Sequence, residues 1–159
     1  MTSAARISYE TFTKTAPAAY SALLALGKAV DDAGLEKALT ELIKVRASQI
    51  NDCAFCLQYH LNIARKLGVP AEKLDLVATW QEAGVYTDRE LAALKWTEAL
   101  CKMPLNGSPE DAVYEAVRTQ FSETELVFLT VSVATINQWN RIAGALRFAP
   151  PIPVRTEAK

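Results

Sequence analysis

Residues 41–65 read ELIKVRASQINDCAFCLQYHLNIAR, and this stretch decides the fold. Apolar residues recur at helical spacing on both sides of a polar break, which predicts one helix over 35–50 and another over 53–67. Asn51 and Asp52 form the break, and both are good N-cap residues for the second helix. The stretch therefore predicts two successive helices joined by a very short turn.

The second of these helices carries two cysteines and a histidine on one face. Cys53, Cys56 and His60 are spaced i, i+3 and i+7, so their side chains are neighbours. Cys56 and His60 can share a proton, and a nearby imidazole or helix N-terminus lowers the pKa of a thiol. A second thiol one turn away can then close a disulfide on an oxidised first sulfur. The pattern predicts a two-thiol redox site.

A histidine that repeatedly carries protons needs an orienting partner, and a carboxylate on the neighbouring helix would serve, directly or through a water. Glu41 is the candidate, because its helix neighbours Ala38 and Val45 place it at the border of the apolar face. The alternative is an exposed Glu41 that pairs with Lys37 or Lys44.

Metal binding and plain core packing are alternative roles for the cysteines. A CxxC pair can hold zinc with His60 as a third ligand, but closed zinc sites need four ligands and the chain has one histidine, so we expect no metal. Cys101 lies among Ala99, Leu100 and Met103, and an isolated free cysteine is most often a small buried hydrophobic residue. We therefore expect Cys101 to be structural.

The rest of the chain carries clear signals for the starts and ends of helices and almost no strand signal. Further helices are predicted over 17–34, ended by Gly34; over 71–82, ended by Gly84; from the capping box of Thr87 and Glu90 to Pro104; from Ser108 and Pro109; and from the capping box of Ser122 and Glu125 to about Arg147. The prediction is a single all-α domain over 1–159, a bundle of about seven helices, with an extended proline-rich tail over 148–159.

Composition argues against several classes of function. The formal net charge of −1 and the lack of a basic run argue against general nucleic-acid binding. The polar stretch 1–16 lacks the apolar segment of a secretory signal, and 126–136 is too short to cross a membrane. We expect a cytoplasmic protein without a membrane partner, in which a persistent structural disulfide would be unusual.

The spacing of the four candidate residues is more specific than a bare CxxC. Glu41 is followed twelve residues later by Cys53, and His60 comes four residues after Cys56. With this pattern the chain resembles the carboxymuconolactone decarboxylase family, and within it the alkylhydroperoxidase branch of the AhpD type. The resemblance extends to TDRELAALKWTEAL and FSETELVFLTVSVATINQWNRIAGALR, and so covers most of 41–147.

The resemblance implies an all-helical fold that assembles into trimers or hexamers and reduces hydroperoxides with a cysteine pair. In that family the glutamate, through water, and the histidine relay protons to the second cysteine, roles that fall on Glu41, His60 and Cys56. Cys53 would then be the resolving cysteine. The helix dipole favours the opposite assignment of roles, because Cys53 lies nearer the positive end of its helix, where the pKa of a thiol is lowered. A thiol or a lipoyl-type protein is the implied reductant.

The sequence-based hypothesis is a thiol-dependent peroxidase without a cofactor. Phe55, Tyr59 and Trp96 are candidate substrate contacts, because an apolar site suits an organic hydroperoxide. Phe55 departs from the family members that carry a histidine before the second cysteine. A decarboxylase-type lyase is one alternative, and it predicts activity without the cysteines. A redox-sensing or zinc-binding module without turnover is the other alternative.

Overall fold

The structure is a computed structural model, which describes residues 5–103 and 107–153. All the regular secondary structure in these two ranges is helical, which confirms the predicted all-α class. The helices are α1 (Tyr9–Thr15), α2 (Pro17–Asp32), α3 (Lys37–Ile50), α4 (Ala54–Lys66), α5 (Ala71–Asp75), a 3-10 turn (Val77–Thr79), α6 (Trp80–Ala83), α7 (Asp88–Cys101), α8 (Asp111–Arg118) and α9 (Glu123–Leu146).

Helix α3 lies at the centre of the fold and packs against α4, α7 and α9. It contributes to each of three buried clusters, because its apolar residues point in several directions. Ile43 packs with α7, α8 and α9, whereas Leu42 and Val45 pack with α4 and the segment around α5 and α6. Ala47 belongs to the third cluster, which contains both cysteines of the CxxC pair. A side chain on α3 can therefore reach the site from inside the core.

The predicted capping boxes are confirmed. Thr87 caps α7 with Glu90 as its partner, and Ser122 caps α9 with Glu125 as its partner. In each box the hydroxyl accepts the N3 backbone N–H, and the carboxylate accepts the N-cap N–H. At the other end, α9 stops at Arg147, whose left-handed backbone has φ 55°.

The start of α4 differs from the prediction. The sequence favours Asn51 and Asp52 as caps, but Cys53 is the N-cap residue and α4 begins at Ala54. Asp52 has φ 52°, a left-handed conformation that turns the chain sharply between α3 and α4. The turn therefore contains both polar residues, and Cys53 Sγ accepts a backbone N–H at the start of the helix.

Three other segments also differ from the prediction. Residues 9–15 form α1, which the sequence pattern does not indicate, although Ser8 caps it through the backbone of Thr11. The predicted helix over 71–82 is split into α5, the 3-10 turn and α6, and Gly84 ends it with φ 66° as expected. Helix α8 begins at Asp111 rather than at Ser108. Pro104 and the end of the tail, 154–159, lie outside the described residues.

Within 5–103 and 107–153, no helix has the length and apolarity that crossing a bilayer requires.

Candidate functional site

The turn before α4 places both cysteine sulfurs at the positive end of that helix. The N–H of Cys53 donates to the carbonyl of Ser48 at 3.0 Å, and this bond closes the turn. The N–H of Cys56 donates to Cys53 Sγ at 3.4 Å, so the sulfur accepts the bond that a serine oxygen accepts in an ordinary cap. The first cysteine therefore has a structural role as the N-cap of α4.

Both thiols are free and buried, with exposures of 3% for Cys53 and 2% for Cys56. A hydrogen bond from Cys56 lowers the pKa of Cys53 to about 7, against burial, and backbone N–H groups of Cys56 and Phe55 act in the same direction. The same bond to Cys53, together with burial, raises the pKa of Cys56. The two thiols are therefore coupled, and Cys53 is the one whose pKa falls.

The histidine and the glutamate are in direct contact. His60 Nδ1 lies 2.6 Å from Glu41 Oε2, a bond that joins α4 to α3 across their interface. Lys44 Nζ lies 2.9 Å from the other carboxylate oxygen, and Lys37 Nζ lies 3.3 Å from it. Glu41 thus pairs with the histidine and with both lysines, although its own side chain is fully buried.

These partners stabilise the ionised form of Glu41. Burial alone would raise the pKa of Glu41, but the hydrogen bond and charge of His60 and the ammonium of Lys44 outweigh it and lower the pKa to about 2. Burial lowers the pKa of His60, against the opposing pull of Glu41. With an ionised carboxylate beside it, Nδ1 carries the hydrogen of this bond, and Nε2 is the nitrogen that remains for proton exchange.

A cavity of about 300 Å³ lies beside this pair. Cys56 and His60 line it, and Cys53 is not among the lining residues. The apolar and aromatic side chains of the lining are Tyr9, Leu23, Leu24, Phe55, Tyr59, Ile63, Ile136 and Trp139. Its charged rim carries Lys28, Asp31, Lys37 and Lys44, with Glu41 below. The lining is thus mostly apolar and includes one residue of the cysteine pair.

Two of the three predicted substrate contacts lie in the cavity. The rings of Phe55 and Tyr59 stack with their centroids 6.1 Å apart, and Tyr59 packs edge-on against His60. Tyr9 lies on the other side of Phe55, with centroids 5.3 Å apart. The aromatic wall therefore combines α1 with α4.

The prediction that Trp96 contacts substrate is wrong. Its side chain is only 6% exposed and belongs to the cluster between α3, α7 and α9, where its indole N–H donates to Thr130 Oγ1 at 3.0 Å. Trp96 therefore stabilises the core. The walls that sequence reasoning missed come from α1, α2 and α9, and local pattern holds no signal for contacts between residues so far apart in the chain.

Cys101 lies outside the cavity lining, on the far side of the cysteine cluster. Asn137 Nδ2 donates to its sulfur at 3.3 Å, and burial raises the pKa of its thiol. No group of three or more His, Cys, Asp or Glu side chains suited to a metal occurs in the described part of the chain.

Comparison with known proteins agrees with the motif. A sequence model of the carboxymuconolactone decarboxylase family matches residues 17–99. The uncharacterised protein YdfG of Bacillus subtilis is 33% identical over 141 residues, which make up 89% of this chain and 93% of YdfG.

Solved structures extend the comparison. A protein of unknown function from Agrobacterium tumefaciens, proposed to be the antioxidant defence protein AhpD, matches with a TM-score of 0.87 and 38% identity. That match covers 94% of this chain and 100% of the other. The debrominase Bmp8 in its apo form has a TM-score of 0.76 at 19% identity, over 87% of this chain and 74% of its own, so the likeness to Bmp8 concerns the fold.

Proposed function

Since the chain belongs to the carboxymuconolactone decarboxylase family and is AhpD-like, we propose that it is a thiol-dependent peroxidase that reduces organic hydroperoxides. The observation that carries the proposal is that Cys56, His60 and Glu41 line one mostly apolar cavity, with Cys53 one turn from Cys56. This arrangement supplies a nucleophile, a second thiol and a proton carrier within one site.

The lining supports the choice of substrate. An apolar cavity of about 300 Å³ holds a small organic molecule and gives a charged substrate little compensation for its lost hydration. The lysines of the rim are already paired, Lys28 with Asp32 and Lys37 with Asp31. A hydroperoxide with a hydrocarbon or aromatic body therefore fits the site better than an anion does.

The first step oxidises Cys56, the thiol that lines the cavity. Cys56 gives its proton to the neighbouring Cys53 sulfur, whose pKa is the lower of the two. As the proton leaves, the Cys56 sulfur bonds to the terminal oxygen of the hydroperoxide and the O–O bond breaks. The alkoxide takes a proton that His60 has drawn from solvent, and it leaves as an alcohol. Cys56 becomes a sulfenic acid.

Glu41 makes this proton delivery possible. An imidazole that takes up a proton in a buried site is stabilised by an ionised carboxylate 2.6 Å away. Because the partners of Glu41 hold its pKa at about 2, the carboxylate keeps its charge and does not take the proton itself.

The second step closes a disulfide. Cys53 attacks the sulfenic sulfur of Cys56, the S–S bond forms and the S–O bond breaks, and the leaving hydroxide takes the proton of Cys53 and departs as water. A dithiol reductant, of the thiol or lipoyl-protein class, then reduces the disulfide and is itself oxidised. The lowered pKa of Cys53 suits this role, since a thiolate is the attacking form.

The test is peptide mapping by mass spectrometry after reduced protein meets one equivalent of cumene hydroperoxide. We expect a Cys53–Cys56 disulfide in the wild type and in the control variant Cys101→Ser. In Cys53→Ser, dimedone should trap a sulfenic acid on Cys56. Cumyl alcohol should form in equal molar amount to the disulfide.

Free thiols that persist in excess hydroperoxide would contradict the proposal and favour a lyase of the same family. A sulfenic acid trapped on Cys53 in Cys56→Ser, with none on Cys56 in Cys53→Ser, would reverse the order of the two cysteines.

A further inference from the structure

Asn140 is a buried polar side chain on α9 that faces the cysteine pair. Ile136 and Ala143 belong to the cluster that contains Cys53 and Cys56, and Asn140 lies between them on the same helix face, one turn from each. Its side chain is 4% exposed. A buried amide among apolar neighbours must satisfy its donors and acceptor locally.

The orientation of this amide is fixed by a chain of hydrogen bonds. The hydroxyl of Ser48 donates to the carbonyl of Lys44 at 2.7 Å, so Ser48 Oγ is left to accept from Asn140 Nδ2 at 3.1 Å. On the other side, Asn51 Nδ2 donates to Asn140 Oδ1 at 3.0 Å. The carbonyl of Asn140 is thus engaged, and one N–H of its amide remains for another acceptor.

The sulfurs of the pair are the acceptors at hand. The Ser48 hydroxyl accepts from Asn140, and the Ser48 carbonyl accepts the Cys53 N–H at 3.0 Å, so the amide lies beside the cysteine pair. The Asn140 side chain lowers the pKa of both thiols. Cys53 already accepts from the backbone of α4, so an amide from α9 completes its surroundings. Other titratable groups near the pair are Tyr9 from α1, Cys101 from α7, and His60 of α4 with its partner Glu41 of α3, which line the same cavity as Cys56.

We propose that Asn140 donates its remaining amide N–H to the cysteine pair and keeps Cys53 in the thiolate form. Ser48 and Asn51 are positioning residues, because they act on the sulfur only through the orientation of Asn140. The inference rests on the proposed function in one respect: the Cys53 thiolate is the group that takes the proton of Cys56 in the peroxidase reaction. A hydrogen bond from α9 then sets how much protein is reactive at neutral pH.

The test measures thiolate directly, by absorbance at 240 nm as the reduced protein is titrated from pH 4 to 9. All variants carry Cys101→Ser, so that only the pair titrates. Asn140→Leu removes the donor at similar size, and Gln138→Leu is the matched control, an exposed amide side chain on the same helix. A hydrogen bond to a charged group is worth about one unit of pKa. We expect the midpoint of Asn140→Leu to rise by about that amount and the control to keep the parent midpoint.

A second variant covers the case in which leucine does not fit. Asn140→Ala truncates the side chain without crowding the cluster, and its midpoint should rise in the same way. Ser48→Ala should give a smaller rise, because the amide keeps its N–H but loses one of the bonds that orient it. A midpoint equal to that of the parent in a folded Asn140 variant would overturn the proposal.

The titration needs no hydroperoxide and no turnover. A wild-type protein that fails to reduce cumene hydroperoxide contradicts the peroxidase proposal and leaves the thiolate measurement decisive for Asn140. If the protein is a peroxidase, Asn140→Leu should also react several-fold more slowly at pH 7 and approach the parent rate at pH 9.

Discussion

Glu41 holds a negative charge at a position with no solvent exposure, in the middle of the central helix α3. Both sequence-based predictions for this residue hold in part, since it bonds to His60 and also pairs with Lys37 and Lys44. The lysines compensate the buried charge, and they leave one carboxylate oxygen for the imidazole. A single residue thus joins the charged rim to the histidine.

Replacing Glu41 by glutamine tests its part in proton delivery. In Glu41→Gln the imidazolium of His60 loses its anionic partner, so kcat/KM for cumene hydroperoxide should fall about a hundredfold, the lower range for general acid–base catalysis. The control is Glu115→Gln, because Glu115 is an exposed residue that pairs with Arg118. This variant should keep the wild-type rate. An unchanged rate in Glu41→Gln, measured by stopped flow at pH 7, would exclude this role.

Acid should destabilise the protein in part through Glu41. Its pKa is lowered from 4.5 to about 2 by folding, so the stabilisation is present above pH 4.5 and is lost as pH falls toward 2. This shift predicts that about 2 kcal/mol of unfolding free energy disappears between pH 6 and pH 3. Urea unfolding at the two values should give a smaller difference for Glu41→Gln than for the wild type. Equal differences would contradict the assignment.

At the scale of single helices, the segments predicted well are those whose ends are set by their own residues. Thr87 and Ser122 form capping boxes with residues three positions away, so the sequence contains the whole signal. The break within 71–83 has a tertiary cause that local pattern does not contain. Trp80 turns its indole N–H toward Glu98 on α7, at 2.8 Å, and packs into the cluster beneath α4.

The capping box of α9 should make a measurable contribution to stability. Ser122→Ala removes the side chain that accepts the Glu125 N–H, and the expected cost is about 1 kcal/mol of unfolding free energy. Thr124→Ala is the control, since Thr124 is exposed in the same first turn and does not form the cap. Denaturant unfolding of both variants measures the difference, and equal stabilities would argue against the cap.

At the scale of the whole molecule, the site combines one local segment with distant walls. Cys53, Cys56 and His60 follow one another at helical spacing, so the sequence alone predicts that they are neighbours, whereas the choice of Glu41 depended on the family resemblance. The walls could not be predicted, because α1, α2 and α9 meet the segment only through packing of the entire bundle. The wrong assignment of Trp96 has the same origin: an apolar aromatic residue looks alike in sequence whether it lines a cavity or a core.

Gly27 of α2 is a position at which a larger side chain can reduce the volume of the cavity. Gly27 lines it, and a Cβ built there meets nothing within 4 Å. Gly27→Leu should therefore fill part of the cavity, and raise KM for cumene hydroperoxide about tenfold while KM for hydrogen peroxide changes little. Gly144→Leu is the matched control, a helical glycine on α9 with equally open surroundings and no place in the cavity. Equal effects on both substrates would contradict the assigned binding site.

Assembly into trimers or hexamers is a proposal that follows from the family. Exposed apolar side chains on α2 and α9 are suitable contacts, among them Leu24 and Val127, the second of which is 54% exposed. Light scattering should give a mass of three or six times 17.4 kDa. A mass of 17.4 kDa at micromolar concentration would refute the proposal.

Cys53 starts α4 with a sulfur where serine, threonine or aspartate would make a stronger cap. A substitution of Cys53 by one of these residues, chosen for thermal stability alone, would remove the thiol. Under the proposed function, a cysteine at this position is a compromise between the stability of the helix and the reactivity of a thiol. Cys53→Ser is therefore a suitable variant for testing the proposed function, since the oxygen should keep the helix start in place while one of the two sulfurs is removed.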